Sequence, residues 1–176
     1  PGRPAAMRKG KNVDIAEDGK DFFAQVTGML QVAGDAIQVD PTMVVPNDVD
    51  MSVGNIHFLG PVKVARDVRD GFYIKAGKEI EIGGMVEAAV LESESFIRIQ
   101  GGVAGKGKGR IVCKGNLEAK YLSEVTVEAG GDVIVANSIT TCTVKSLGKV
   151  IVNNGGIKGA NVIARKGLHT PELGSE

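Results

Sequence analysis

The chain has 176 residues, of which 43% are hydrophobic and only 4% aromatic, and its formal net charge is zero. A chain of this length can bury one sizeable core, and with so few rings that core must consist of small and β-branched aliphatic side chains. The neutral balance gives no indication of a nucleic acid or an anionic membrane as a partner. The 25 glycines follow no Gly-X-Y period, which indicates many tight turns and excludes collagen.

The N-terminal segment, the apolar runs and the cysteines indicate the cellular location of the protein. Residues 1–12 are polar and basic, without the apolar stretch of a signal peptide, and no apolar run approaches a membrane span of about 20 residues. Cys113 and Cys142 form no metal-binding motif, and we expect each to be a small buried side chain. We therefore expect a cytoplasmic protein, or an excised fragment of one, with no cofactor, no metal and no membrane insertion.

Residues 1–52 are predicted to form a small β-rich region. Apolar segments at residues 12–15, 22–26, 29–32 and 36–39 alternate with turn signals at Asp18-Gly19 and Gly34-Asp35, which is typical of short strands in a meander. We expect this region to cover the first coil of the repeat that follows, because repeat proteins need atypical ends that hide strand edges.

A nine-residue template recurs from Ile74 onward: an apolar residue, any residue, a small residue, three turn residues, then apolar, any and apolar. Its seventh position advances through Ile80, Ile97, Leu117, Val133, Val150 and Leu168, at steps of 17, 20, 16, 17 and 18 residues. A further apolar column follows at Val86, Val103, Leu122, Ile139 and Ile157. Residues 53–71 form a first, less regular copy.

This period is too short for a propeller blade or a helical hairpin, and it fits one triangular coil of a parallel β-helix. We predict a right-handed single-stranded parallel β-helix over residues 53–176, with equivalent positions stacked about 4.8 Å apart. Val133 and Val150 should then be inward neighbours. The small column should line a tight bend of the wall; it contains Ala76, Ser93, Cys113, Ala129, Ser146 and Ala164.

The outward column beside these positions changes character along the chain. It reads Glu81, Arg98, Glu118, Ile134, Ile151 and His169. The stacked isoleucines, with Ile163 on the neighbouring column, predict a protein contact surface. His57 and His169 belong to the first and last coils and are predicted to be solvated, too far apart to share a metal.

Residues 101–109 imitate a phosphate-binding loop, but Gly109 stands where that motif needs Ser or Thr after the lysine, and no helical pattern follows. We interpret the segment as a glycine-rich corner loop that accounts for the 20-residue step. The alternative is an anion contact through Lys106, Lys108 and Arg110.

Several segments together resemble a known family. They are residues 54–62, the Asp70-Gly71-Phe72 turn, and residues 83–89, 101–103, 131–135 and 155–159, and they resemble the β-helix of the bacterial flagellar assembly protein A family over roughly residues 10–176. The resemblance implies a cytoplasmic protein with a β-rich N-terminal region, a central β-helix, usually a helical C-terminal extension, and a link to flagellar assembly or motility. It implies no catalytic residues.

Three functions are compatible with this reading. The first is a non-catalytic cytoplasmic scaffold that contacts protein partners, such as flagellar or polar-localisation machinery. The second is a self-assembling β-helix that forms homo-oligomers, like bactofilin filaments or a dimerising division inhibitor. The third is a carbohydrate-active enzyme, for which the column Glu81–Arg98–Glu118 is the candidate site, although its alternating signs are typical of ion pairing between strands.

Overall fold

The N-terminal region is a set of short strands, as predicted. The computed structural model describes residues 7–174 and contains no helix within them; residues 1–6 and 175–176, the outer ends of the predicted region and tail, lie outside the described residues. The strands here are β1 (Arg8–Lys9), β2 (Val13–Ile15), β3 (Phe22–Ala24), β4 (Met29–Ala33) and β5 (Ala36–Asp40). β2 and β3 form one antiparallel hairpin, β4 and β5 a second, and β1 adds to β5 in parallel.

The rest of the chain winds into a parallel β-solenoid of about eight turns. The predicted parallel β-helix is therefore confirmed. The first coil begins at Met43, because strand Met43–Val45 already pairs in parallel with strand Val62–Val64. Residues 43–52, which the sequence grouping placed in the N-terminal region, thus belong to the solenoid. Their coil has Pro46 and a long corner, so it does not match the repeated template.

Each coil contributes to three faces, named here in the order in which the chain meets them. Face 1 consists of β6 (Met43–Val45), β8 (Val62–Val64), β10 (Ile80–Ile82), β12 (Ile97–Ile99), the starts of β14 (Leu117–Ala129) and β15 (Val133–Thr140), β17 (Lys149–Val152) and β20 (Gly167–His169). Face 2 consists of isolated bridges at Val49, Val68 and Val86, the start of β13 (Val103–Cys113), the middle of β14, the end of β15, β18 (Gly156–Lys158) and β21 (Glu172–Gly174). Face 3 consists of β7 (Ile56–Phe58), β9 (Tyr73–Ala76), β11 (Val90–Ser93), the ends of β13 and β14, β16 (Thr143–Ser146) and β19 (Asn161–Ala164).

The core is a set of aliphatic columns that run along the solenoid axis. On face 1 the fully buried side chains of Ile80, Ile97, Leu117, Val133 and Val150 are in register from coil to coil. Alternate strand residues point outward, so strand periodicity alone separates the core from the surface. Burial of apolar area at about 25 cal/mol per Å² makes these columns the main favourable contribution to folding.

The small column lies at the corner between faces 3 and 1, as predicted, and its hydroxyls bond to the turn. The Ser146 hydroxyl donates to the carbonyl of Gly131 at 2.8 Å and accepts the backbone N–H of Gly148 at 3.0 Å. Ser93 makes the same pair of bonds, donating to the Lys78 carbonyl of the preceding coil at 2.7 Å and accepting the backbone N–H of Ser95 at 3.0 Å. A larger side chain at these positions would displace the turns, and an apolar one would remove the hydroxyl bonds that join the turns of adjacent coils.

The two ends of the solenoid differ in exposure. In the first coil the inward side chains of Val45, Val49 and Ile56 are buried. In the last coil the inward columns end at Leu168 and Leu173, which are 43% and 68% exposed. The tail residues 172–174 add a strand to face 2 by pairing with β18. Within the described residues, the inward columns therefore end in partly exposed side chains.

Candidate interaction surface

The outward column on face 1 has the register that the sequence predicts. Lys63, Glu81, Arg98, Glu118, Ile134, Ile151 and His169 are successive neighbours. The early members pair: Lys63 Nζ lies 3.4 Å from Glu81 Oε2, and Arg98 Nε donates to Glu118 Oε2 at 2.7 Å, which raises the pKa of Arg98. From Ile134 onward the column carries no carboxylate. Ile134 and Ile151 are half-buried side chains, about 4.8 Å apart at the strand spacing.

The carboxylates of this column are thus engaged with cations of neighbouring coils. The Glu81–Arg98–Glu118 arrangement proposed for a carbohydrate-active enzyme is an ion-paired ladder on an exposed sheet face. Glycosidase chemistry needs one carboxylic acid held protonated and a second carboxylate free to act, whereas here Glu118 accepts a hydrogen bond from Arg98 and Glu81 lies beside Lys63.

Face 3 carries the third predicted contact residue at its C-terminal end. Ile163 lies outward, in register with Lys145, and is 56% exposed. Leu147, which follows β16 at the corner with face 1, is also 56% exposed. Leu147 is a contact candidate that sequence reasoning missed, because the template treats its position as a turn residue without a required character.

A groove of about 720 Å³ runs along this corner. Gly130 lines it at the corner position between Lys114 and Leu147, where a Cβ would collide with the carbonyl oxygen of Lys114. Val112 and Ile163 contribute apolar surface from face 3. The groove joins the exposed side chains of Leu147 and Ile163 into one concave surface.

Charge is unevenly distributed between the early and late coils. Residues 133–171 contain no Asp or Glu but five cations: Lys145, Lys149, Lys158, Arg165 and Lys166. None of the five forms an ion pair with a carboxylate in the described part of the chain. Lys145 is the register neighbour of Glu128, but Glu128 pairs instead with Arg110 at 3.4 Å. The late coils therefore present unneutralised positive charge.

The glycine-rich segment is an excursion of β13 at the corner between faces 2 and 3. Its register with β14 shifts between Ala104 and Gly109. Lys106 and Gly107 have φ of 50° and 71°, the pair of positive values that a tight mirror-image turn requires. The equivalent corners of the next two coils use a single positive-φ residue, Glu124 or Thr141. The corner-loop interpretation therefore agrees with the structure.

The three residues predicted to contact an anion do not converge. Lys106 Nζ lies 3.2 Å from Glu87 Oε2 and 3.6 Å from Asp70 Oδ2, and Glu87 raises the pKa of Lys106. Arg110 lies on the strand proper and pairs with Glu128. Lys108 is exposed. With two of the three cations engaged by carboxylates, the anion contact stays a prediction.

A network of ion pairs on face 2 was not anticipated. Arg69 donates to Asp48 Oδ2 at 2.6 Å and to Glu87 Oε1 at 3.1 Å, and the pKa of Glu87 falls, chiefly because of Arg69. In the sequence these residues are spaced by about one coil. The network was not predicted because the template does not cover the register of this part of the chain. Lys106 extends the network and holds the excursion against the preceding coil.

The residues with potential for catalysis or metal binding lie apart. His57 is exposed on face 3 of the first coil and His169 on face 1 of the last, as predicted. Residues 7–174 contain no cluster of three or more metal-ligating side chains. Cys113 and Cys142 are free and buried, and burial raises the pKa of Cys113 to about 11, so its thiol stays protonated at neutral pH.

Comparison with protein families assigns the repeat. The family model described as the flagellar assembly protein A beta solenoid domain matches residues 41–176. The chain belongs to the flagellar assembly protein A family. The match begins two residues before β6, so the family's solenoid domain and the coils seen here coincide at their start. Searches of curated proteins and of solved structures found no significant match. No helix within residues 7–174 is long and apolar enough to cross a membrane.

Proposed function

We propose that this flagellar assembly protein A solenoid is a non-catalytic cytoplasmic scaffold that binds a protein partner during flagellar assembly or positioning. The observation that carries the proposal is the change of the face 1 column from paired charges to Ile134 and Ile151. Charged side chains are depleted and aliphatic ones tolerated where a surface is covered by a partner. The family description, which names an assembly process and a fold rather than a reaction, supports it.

The solenoid suits a scaffold on mechanical grounds. Its backbone N–H and C=O groups are bonded between coils in one continuous sheet, and its aliphatic core is closely stacked. A side chain on such a sheet keeps a fixed position relative to its neighbours, so a partner meets a preorganised surface and loses less conformational entropy on binding.

The test is made in the bacterium that encodes the protein, with flagellation and motility as the readouts. We expect Ile134→Lys/Ile151→Lys to keep its melting temperature but to reduce flagellation and motility, because two charges would have to be desolvated at the contact. Val44→Lys is the matched control, since Val44 is exposed in the same column of the first coil. Normal flagellation in a folded, normally expressed double variant would overturn the proposal.

Self-assembly is the second candidate, favoured by the exposure of Leu168 and Leu173 in the last described coil. Exposed aliphatic side chains on a strand can be covered by another copy of the chain. Sedimentation velocity over a hundredfold concentration range tests this candidate. We expect association that Leu173→Asp abolishes, and a concentration-independent monomer would reject it.

A further inference from the structure

We propose that the corner groove, defined by Val112, Lys145, Leu147, Ile163 and Arg165, binds a short segment of a partner protein that carries carboxylates beside aliphatic side chains. The inference rests on the proposed scaffold function and names the chemistry of the partner. The groove is separate from the Ile134 and Ile151 column, which lies on face 1.

The size of the groove sets the length of its occupant. From Val112 to Ile163 it crosses four coils through the register Val112, Glu128, Lys145 and Ile163. Three steps of about 4.8 Å give roughly 14 Å along the solenoid axis. That distance corresponds to about four residues of extended chain, or to about three turns of helix at 1.5 Å per residue. A short linear segment therefore fits better than a folded domain.

The apolar part of the groove is accessible in the free chain. Leu147 and Ile163 each expose more than half of their side-chain surface, and they lie on adjacent coils. Two aliphatic side chains that flank one concavity can both be covered by a single ligand side chain, which makes the groove an anchor site rather than scattered exposed surface.

The positive charge of the groove favours apolar ligands that also carry carboxylates. Lys145 and Arg165 line it without a partner among the described carboxylates, whereas Lys114 is engaged by Glu94 and Glu128 by Arg110. Lys149, Lys158 and Lys166 add positive charge in the same coils. A ligand with carboxylates would be attracted to this surface and would neutralise it, and one with lysines would be repelled.

The same features argue against two other occupants. Nucleic-acid binding to single strands relies on aromatic side chains on which bases stack, and no aromatic residue lines the groove. A second copy related by a two-fold axis would bring the same cations against themselves. An acidic, aliphatic protein segment satisfies both the charge and the surface.

The experiment measures the binding of labelled peptides by fluorescence anisotropy. The probe is a fluorescein-labelled octapeptide of alternating Leu and Glu, compared with peptides in which Ser replaces Leu or Lys replaces Glu, and with a twelve-residue oligothymidine. We expect the Leu/Glu peptide to bind at least tenfold more tightly than each of the others, and its affinity to fall as salt rises from 0.05 to 0.5 M. Equal binding of the oligothymidine would replace the proposal with a nonselective polyanion surface.

Paired variants assign the binding to the groove. Leu147→Ser/Ile163→Ser and Lys145→Ser/Arg165→Ser should each weaken the Leu/Glu peptide at least tenfold while the circular dichroism spectrum is unchanged. Leu59→Ser is the matched control, because Leu59 is 67% exposed at the same corner of the first coil. No binding at 1 mM peptide, or binding that survives both groove variants, would overturn the inference. Neither result affects the scaffold proposal, which the Ile134 and Ile151 variant tests independently.

Discussion

Val133 and Val150 lie opposite each other on adjacent coils, and neither exposes any surface to solvent. Val133→Asp would bury a carboxylate with no partner, and we expect it to lower the free energy of unfolding by several kcal/mol. Ile134→Asp is the control, since the adjacent side chain points outward. Urea denaturation of both variants checks the register, and equal midpoints would contradict it.

The Ser146 hydroxyl joins the turn of its own coil, at the Gly148 N–H, to the turn of the preceding coil, at the Gly131 carbonyl. We expect Ser146→Ala to cost about 1 kcal/mol of unfolding free energy, because the Gly131 carbonyl and the Gly148 N–H each lose the hydroxyl bond and keep only their 3.2 Å bond to each other. Ser138→Ala, on the outward side of face 2, removes a hydroxyl without this role and should be nearly neutral. Chemical denaturation distinguishes the two, and a neutral Ser146→Ala would show that water replaces the hydroxyl.

The buried thiol of Cys113 predicts an alkaline dependence of stability. Burial raises its pKa from 9.0 to about 11, so between these values the unfolded chain loses this proton while the folded chain retains it. The free energy of unfolding should therefore fall as pH rises from about 9 to about 11. Cys113→Ala should make the fall shallower, at a cost of about 1 kcal/mol near neutral pH. Thermal melts at pH 7–11 measure both, and an unchanged alkaline slope would contradict this assignment.

Replacing Lys106, Lys108 and Arg110 with Ser should change the melting temperature little. The residues are exposed, and surface ion pairs such as those with Glu87 and Glu128 contribute little to stability. If the predicted anion contact exists, the triple variant should also lose sulfate binding measured by calorimetry. Equal sulfate binding by variant and parent would reject that contact.

The sequence predicted the coils wherever the template was intact, because an inward-facing residue can only be replaced by one of similar size and polarity. Ile134, Ile151 and Ile163 were placed correctly for this reason. The first coil was missed because Met43–Val45 is a single short strand followed by Pro46. Side-chain pairing is harder to predict: Lys145 is in register with Glu128, but Arg110 reaches that carboxylate from the diagonal position. Long flexible side chains choose among several neighbours that register alone does not distinguish.

The corner groove could not be predicted from the sequence, for a different reason. It depends on corner residues such as Leu147, which the template treats as turn residues without a required character. The cations of the late coils were visible in the sequence. Their lack of partners became evident only once the carboxylates of Glu94 and Glu128 were seen to be engaged elsewhere.

Because the step between coils is constant, the number of coils sets the length of the solenoid. Every coil advances the chain by about 4.8 Å along one axis, so the distance from the N-terminal hairpins to the last-coil contacts is counted in whole coils. Insertion of one coil, for example a copy of residues 133–149, would move everything after it by one step and leave the local surfaces intact. A homologue with more or fewer coils would hold the molecules attached at its two ends at a different separation, in increments that its sequence length alone would reveal.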